Sequence, residues 1–129
     1  MDDSVSELKD LDVLLVEDES LVSFLIEDML TELGAGGIRH ASRLDAGFAL
    51  AAQKKPGLAV LDVNLAGEAI FPLAEKLARE RVPILFITGY GREGVGEEWA
   101  HAEVLQKPLT IEQLARAVRK ALRGGLDQR

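Results

Sequence analysis

Leu58-Ala59-Val60-Leu61-Asp62 is the stretch whose reading decides the fold. Its four apolar residues run without a polar break and stop on an aspartate. A strand with one face in water alternates apolar and polar residues, whereas an unbroken run reads as a strand covered on both faces. Double cover calls for helices on both sides, and therefore for a parallel sheet fed by crossover connections. Pro56-Gly57 ahead of the run marks the end of whatever precedes it.

Further runs of this kind lie to either side. Val13-Leu14-Leu15-Val16 ends at Glu17-Asp18-Glu19, Val82 to Ile87 ends at Thr88, and Val104 to Gln106 ends at Lys107-Pro108. Ile38-Arg39-His40-Ala41 is a weaker strand. Helical spacing fills the gaps. After Ser20 as N-cap, Val22, Leu25, Ile26, Met29, Leu30 and Leu33 form one inward stripe, and Gly34 stops it. Ser42 with Asp45 starts a helix to about Lys54. Past a loop over Val63 to Ala69, Pro72 sits in the first turn of a helix with Leu73, Leu77 and Ala78 inward. The last helix starts at Thr110, with Gln113 completing a capping box, and packs Ile111, Leu114, Val118 and Leu122. In Gly89 to His101, Gly91, Gly94 and Gly96 each cost about 1 kcal/mol against alanine, so a helix there is short or easily melted. The expectation is an α/β doubly wound sheet of five parallel strands in the flavodoxin-like order 2-1-3-4-5, with helices on both faces and ligands bound at the carboxyl strand ends.

The 129 residues suffice for one domain, expected over 11–124 between a polar segment 1–10 and a tail 125–129. Hydrophobic residues at 47% argue against disorder, and the absence of cysteine excludes disulfides and thiolate metal sites. A net charge of −7 disfavours direct nucleic-acid binding. The acidic start MDDSVSELKD is the reverse of a signal peptide, and no apolar run approaches a membrane span, so a cytoplasmic location is expected.

The strand ends collect the chemistry: Glu17 and Asp18, Asp62, Thr88 and Lys107. Carboxylates so close repel unless a cation joins them, and all-oxygen ligation suits Mg²⁺, or Mn²⁺, over zinc. Asp62 can then act as a carboxylate nucleophile toward phosphorus, with Lys107 and the Thr88 hydroxyl offsetting charge on the phosphoryl oxygens. Taken singly, each has an ordinary reading: an acidic helix start, a turn cap, a strand exit, a solvated lysine.

VLLVEDES, LAVLDVNLAGE, PILFITGYG and VLQKPLT, in that order, resemble the signature stretches of the response-regulator receiver family. The resemblance implies Glu17 and Asp18 as the acidic pair, Asp62 as the phosphorylation site, Thr88 as the hydroxyl switch and Lys107 as the lysine. It implies the backbone carbonyl of Asn64 as a metal ligand and Gly89 as the small residue that keeps the pocket open. It further implies phosphorylation by a histidine kinase or histidine phosphotransfer protein, Mg²⁺ as cofactor, and output to a downstream protein, the chain catalysing only its own phosphoryl transfer and autodephosphorylation. A stand-alone receiver is the expectation.

Two departures bear on output. Val104 stands where the family commonly has an aromatic switch, and FITGYG resembles a receiver subgroup with an F-x-T-G-x-Y-like pattern. Tyr90 and the glycine-rich segment are then candidates for transmitting the signal, against an ordinary reading of Tyr90 as a partly buried loop aromatic. Leu65-Ala66 replaces a frequent methionine-proline, a change expected to act on loop stiffness. His40 and His101 stand away from the acidic residues, and Trp99 reads as a packing residue. Competing functions are a degenerate receiver used only for contacts, a phosphoryl shuttle or sink, an aspartate-nucleophile phosphatase, whose D-x-D-x-T stretch EDES does not match, and a flavin or nucleotide carrier, whose phosphate an acidic first loop would repel.

Overall fold

In a computed structural model, residues 8–127 are described. The elements are β1 (Asp12–Val16), α1 (Ser20–Glu32), β2 (Gly37–Ala41), α2 (Leu44–Gln53), β3 (Leu58–Asp62), a small hairpin β4 (Asn64–Leu65) and β5 (Glu68–Ala69), α3 (Phe71–Arg79), β6 (Ile84–Thr88), 3₁₀ turns at Gly91–Gly94 and Glu97–Trp99, β7 (Glu103–Gln106) and α4 (Ile111–Asp127). The main sheet runs β2-β1-β3-β6-β7, with every neighbouring pair parallel. Leaving the hairpin aside, this is the expected order 2-1-3-4-5.

The continuous apolar runs are explained by two cores. In β3, Ala59 and Leu61 face one core, shared with Leu73, Ala74 and Leu77 of α3, while Leu58 and Val60 face the other, shared with Ile26 and Leu30 of α1 and with Leu114 and Val118 of α4. All five residues of β3, and all five of β6, are buried. Successive side chains point to opposite faces, so only a strand covered twice can be apolar at every position. From β1 the chain first adds β2 on one side and then crosses to add β3 on the other, so the winding reverses between β1 and β3 and the switch-point crevice lies beyond Val16 and Asp62.

Several local expectations need correction. Glu19, not Ser20, occupies the N-cap position of α1, without a side-chain capping bond. Leu25 is 48% exposed, because α1 packs on Ser23, Ile26 and Leu30, a stripe from which Leu25 is rotated outward. At α2 the cap position is Arg43, in extended conformation, and Asp45 Oδ1 accepts the N–H of Ala46 instead of joining Ser42 in a cap. In α3 the inward residue beside Leu73 and Leu77 is Ala74, one turn from the expected Ala78, which is exposed. The glycine-rich stretch holds no α-helix, only the two 3₁₀ turns. Trp99 anchors it, with its ring centroid 5.2 Å from Phe86 and 6.3 Å from Phe71.

The capping box of α4 is present: the Thr110 N–H donates to Gln113 Oε1 (2.9 Å) and the Gln113 N–H to Thr110 Oγ1 (3.1 Å). Leu8, within the stretch 1–10, is fully buried against the second core, and Lys9 bridges to Ala35. Helix α4 continues through Asp127.

Candidate functional site

Backbone hydrogen bonds extend the sheet ladder past the strand ends and so fix the residues that follow. The Glu17 N–H donates to Ala41 O (3.0 Å), the Val63 N–H to Ile87 O (2.9 Å) and the Lys107 N–H to Thr88 O (2.8 Å). Glu17 is 0% exposed, Asp62 3% and Thr88 2%, unusual burial for polar side chains. One carboxylate oxygen from each of Glu17, Asp18 and Asp62 lies within 4.8 Å of the other two. Lys107 Nζ reaches into this group, 3.1 Å from Glu17 Oε1, 3.3 Å from Asp62 Oδ2 and 2.9 Å from Glu19 Oε1.

The acids outnumber the cation, and the electrostatics register it. Burial pushes the Asp62 carboxyl up to about 7, and the Glu17 carboxylate adds to the rise, against Lys107 and the Asn64 N–H. Burial alone would lower Lys107, yet Glu19, Glu17 and Asp62 together raise it above its ordinary value. Glu17 Oε1 meets Lys107 only as an ion pair, without the geometry of a hydrogen bond. A cluster of oxygen donors short of positive charge fits a hard divalent cation.

Asn64 follows Asp62 closely enough for its N–H to donate to Asp62 Oδ1 (3.2 Å), while its own Oδ1 accepts the Gly67 N–H (3.0 Å). Ala66 at φ 48° and Gly67 at φ 91° form the tip of the β4–β5 hairpin. Proline is locked near φ −65°, so Ala66 for proline changes the loop's path and not merely its stiffness.

On the opposite rim, Thr88 Oγ1 accepts the Tyr90 N–H (3.0 Å). Tyr90 itself is 74% exposed, which rules out the reading as a partly buried aromatic. Val104 is half-buried against the core beside Phe86, and has no ring to rotate. A Cβ on Gly89 would meet nothing within 4 Å, whereas one on Gly94 would lie 3.3 Å from Thr88 Oγ1. The glycine at 94 therefore leaves the room in which the threonine hydroxyl sits.

Two neighbours escaped the sequence reading. Glu19 read only as the third acid of a helix start, but it holds Lys107. His40 Nε2 donates to the Glu17 carbonyl oxygen (2.9 Å), so it buttresses the site without joining the carboxylate group. No spacing signal could have found it, because β2 and β1 are brought together only by pairing. A groove lined by Val22, Leu25, Met29, Pro108 and Leu109 opens directly onto Asp62. Leu21 and Phe24 stand exposed on the same helix. Among the described residues, no helix is long and apolar enough to cross a membrane.

Comparison with known proteins gives a consistent answer. The family profile described as "Response regulator receiver domain" matches residues 13–119. The transcriptional regulatory protein PdtaR of Mycobacterium tuberculosis is 29% identical over 114 residues, covering 85% of this chain and 56% of PdtaR. The sensory transduction protein LytT of Bacillus subtilis is 30% identical over 115 residues, covering 84% of this chain and 46% of LytT. The chain thus spans about half the length of these relatives. Among solved structures, SdrG from Sphingomonas melonis Fr1 superposes with a TM-score of 0.76 at 34% identity, over 87% of this chain and 96% of SdrG. The receiver domain of the PhyR response regulator from Erythrobacter litoralis gives 0.74 at 27% identity, over 91% and 93%.

Proposed function

The chain belongs to the response regulator receiver domain family of two-component signalling, and from that premise we propose that Asp62 is its phosphoacceptor, served by Lys107 and Thr88 in an Mg²⁺-dependent transfer. The observation that carries the reading is a nearly buried carboxylate, Asp62, whose neighbours are two further acids and one lysine at the crevice of the sheet.

Glu17, Asp18, Asp62 and the Asn64 carbonyl would hold Mg²⁺, or Mn²⁺, which supplies the positive charge that the carboxylates and the transferring phosphoryl oxygens require. The residues of the chain do the rest. An Asp62 oxygen attacks phosphorus in line. The new oxygen–phosphorus bond forms as the donor's phosphorus–nitrogen bond breaks, and the histidine imidazole departs with that electron pair. Lys107 already stands beside Asp62 Oδ2 and neutralises oxygen charge as it develops. The Thr88 hydroxyl turns from the Tyr90 N–H to the phosphoryl group, and the segment from Tyr90 loses a tether.

The donor is a histidine kinase or a histidine phosphotransfer protein. The apolar groove beside Asp62 and the exposed Leu21 and Phe24 give such a donor a place to bind. Output goes to a downstream protein through residues 90–105 and α4.

The test is incubation with Mg²⁺ and acetyl phosphate, followed by intact mass. One added phosphoryl group, absent without Mg²⁺ and absent in Asp62→Asn, is the expected result. No adduct with several donors would make the chain a contact-only receiver, and an adduct persisting in Asp62→Asn would move the acceptor elsewhere. Continuous phosphate release from alkyl phosphates would make it a phosphatase.

A further inference from the structure

Lys107 is a single ammonium shared by three carboxylates, and they do not hold it alike. The shortest contact, 2.9 Å, is to Glu19 Oε1, ahead of Glu17 at 3.1 Å and Asp62 at 3.3 Å. Glu17 and Asp62 are almost wholly buried and fixed by the strands that carry them. The Glu19 side chain is 60% exposed. It is absent from the group of acids that converge closely enough for a shared ion. Its backbone, by contrast, is tied into the site, since the Glu19 N–H donates to Glu17 Oε2 (3.0 Å). Glu19 is thus anchored at its root, while its tip meets Lys107 from the solvent side.

We propose that Glu19 is a positioning residue: it parks the Lys107 ammonium at the mouth of the site and competes with the phosphoryl group for it, so that Glu19 sets how tightly Asp62 retains its phosphoryl group. The proposal rests on the Asp62 reading above. A phosphoryl group on Asp62 presents oxygens to Lys107 at closer quarters than the bare carboxylate does. To follow them, the lysine must slacken one of its present contacts. Glu17 is wholly buried, so a carboxylate left there by the lysine would have no water to turn to, and Asp62 carries the phosphoryl group itself. The exposed Glu19 tip is released into water at least cost. Each such release is a toll on phosphoryl binding, and removing Glu19 removes the toll.

The reach of the side chain matters as well as its charge. Aspartate at this position keeps a negative charge near the site but falls one methylene short of the present 2.9 Å contact. Simple repulsion of the phosphoryl group by a nearby acid would leave Glu19→Asp like the wild type. A parking contact would be lost in both Glu19→Asp and Glu19→Gln.

The experiment is calorimetric titration of wild type, Glu19→Gln and Glu19→Asp with beryllium fluoride, a phosphoryl mimic, in saturating Mg²⁺. An ion pair with one exposed partner supports a change of about two- to fivefold. The expected result is tightening of that size in both variants. Tightening in Glu19→Gln with Glu19→Asp unchanged would reduce Glu19 to a repelling charge and overturn the proposal, as would no change in either. Failure of the wild type to bind the mimic at all would overturn the Asp62 reading, and this one with it.

Discussion

Replacing Asp62 by asparagine should make the metal-free protein more stable at neutral pH, although it removes the residue at the centre of the site. Asparagine copies the size of a protonated aspartate without its charge. In the folded chain, burial first and the Glu17 carboxylate second raise Asp62 from its ordinary 3.8 to about 7. The folded state therefore binds this proton more tightly than the unfolded chain does. Between about pH 4 and pH 7 it holds more protons, so stability falls as pH rises through that window. At about 1.4 kcal/mol for each pH unit, the ionised Asp62 costs the fold about 4 kcal/mol at pH 8 and only about 0.5 kcal/mol at pH 4. That cost already includes the attraction of Lys107, which opposes the rise. Urea unfolding of wild type and Asp62→Asn in chelator, at pH 4 and pH 8, reads it directly. Asp62→Asn should be the more stable protein at pH 8 by about 2–4 kcal/mol, with the gap nearly closed at pH 4. Mg²⁺ should then stabilise the wild type far more than the variant, by binding the folded state alone. Equal stabilities at pH 8, or a gap that does not change with pH, would show that Asp62 is not held ionised at a cost and would undo the electrostatic account.

Other expectations follow from single contacts. Phe24→Ser, which alters an exposed residue outside the acidic group, should slow phosphoryl transfer from a cognate protein donor about tenfold while leaving labelling by acetyl phosphate unchanged; equal effects on both donors would remove this helix from donor binding. Gly94→Ala places a Cβ 3.3 Å from Thr88 Oγ1, so phosphorylation should proceed but produce a smaller change in amide exchange across residues 89–102, measured by mass spectrometry. Arg39→Ala removes three guanidinium hydrogen bonds to Asp12 and those to the Leu50 and Lys54 carbonyl oxygens, and should cost about 2–3 kcal/mol in urea unfolding without changing phosphorylation.

How far the residues could be read without coordinates depended on the distance over which their determinants act. Leu58 to Leu61 announces a doubly covered strand because burial on both faces constrains every consecutive position. Thr110 and Gln113 declare a capping box because the two reciprocal bonds lie within one turn. The helix stripes were less legible. Leu25 and Ala78 obey helical spacing, yet the sheet surface beneath them chose Ile26 and Ala74 as the inward residues. Rotation of a helix about its axis is decided by what it packs against, and no local pattern carries that.

The site divides along the same line. Sequence by itself determined which residue types end each strand, and so the set Glu17, Asp18, Asp62, Thr88 and Lys107, because a parallel sheet delivers all its carboxyl ends to one rim. Only the tertiary structure decided which of them touch. Lys107 lies 45 residues from Asp62, 90 from Glu17 and 88 from Glu19, and the closed sheet, with the Glu19 N–H tied to Glu17, brings its ammonium within 3.3 Å of all three. It also buried Asp62 enough to raise its carboxyl, set the Tyr90 ring in solvent and aimed the Tyr90 N–H at Thr88. Spacing along the chain records bonded neighbours, whereas charge coupling depends on distances through space, which exist only once the sheet has closed.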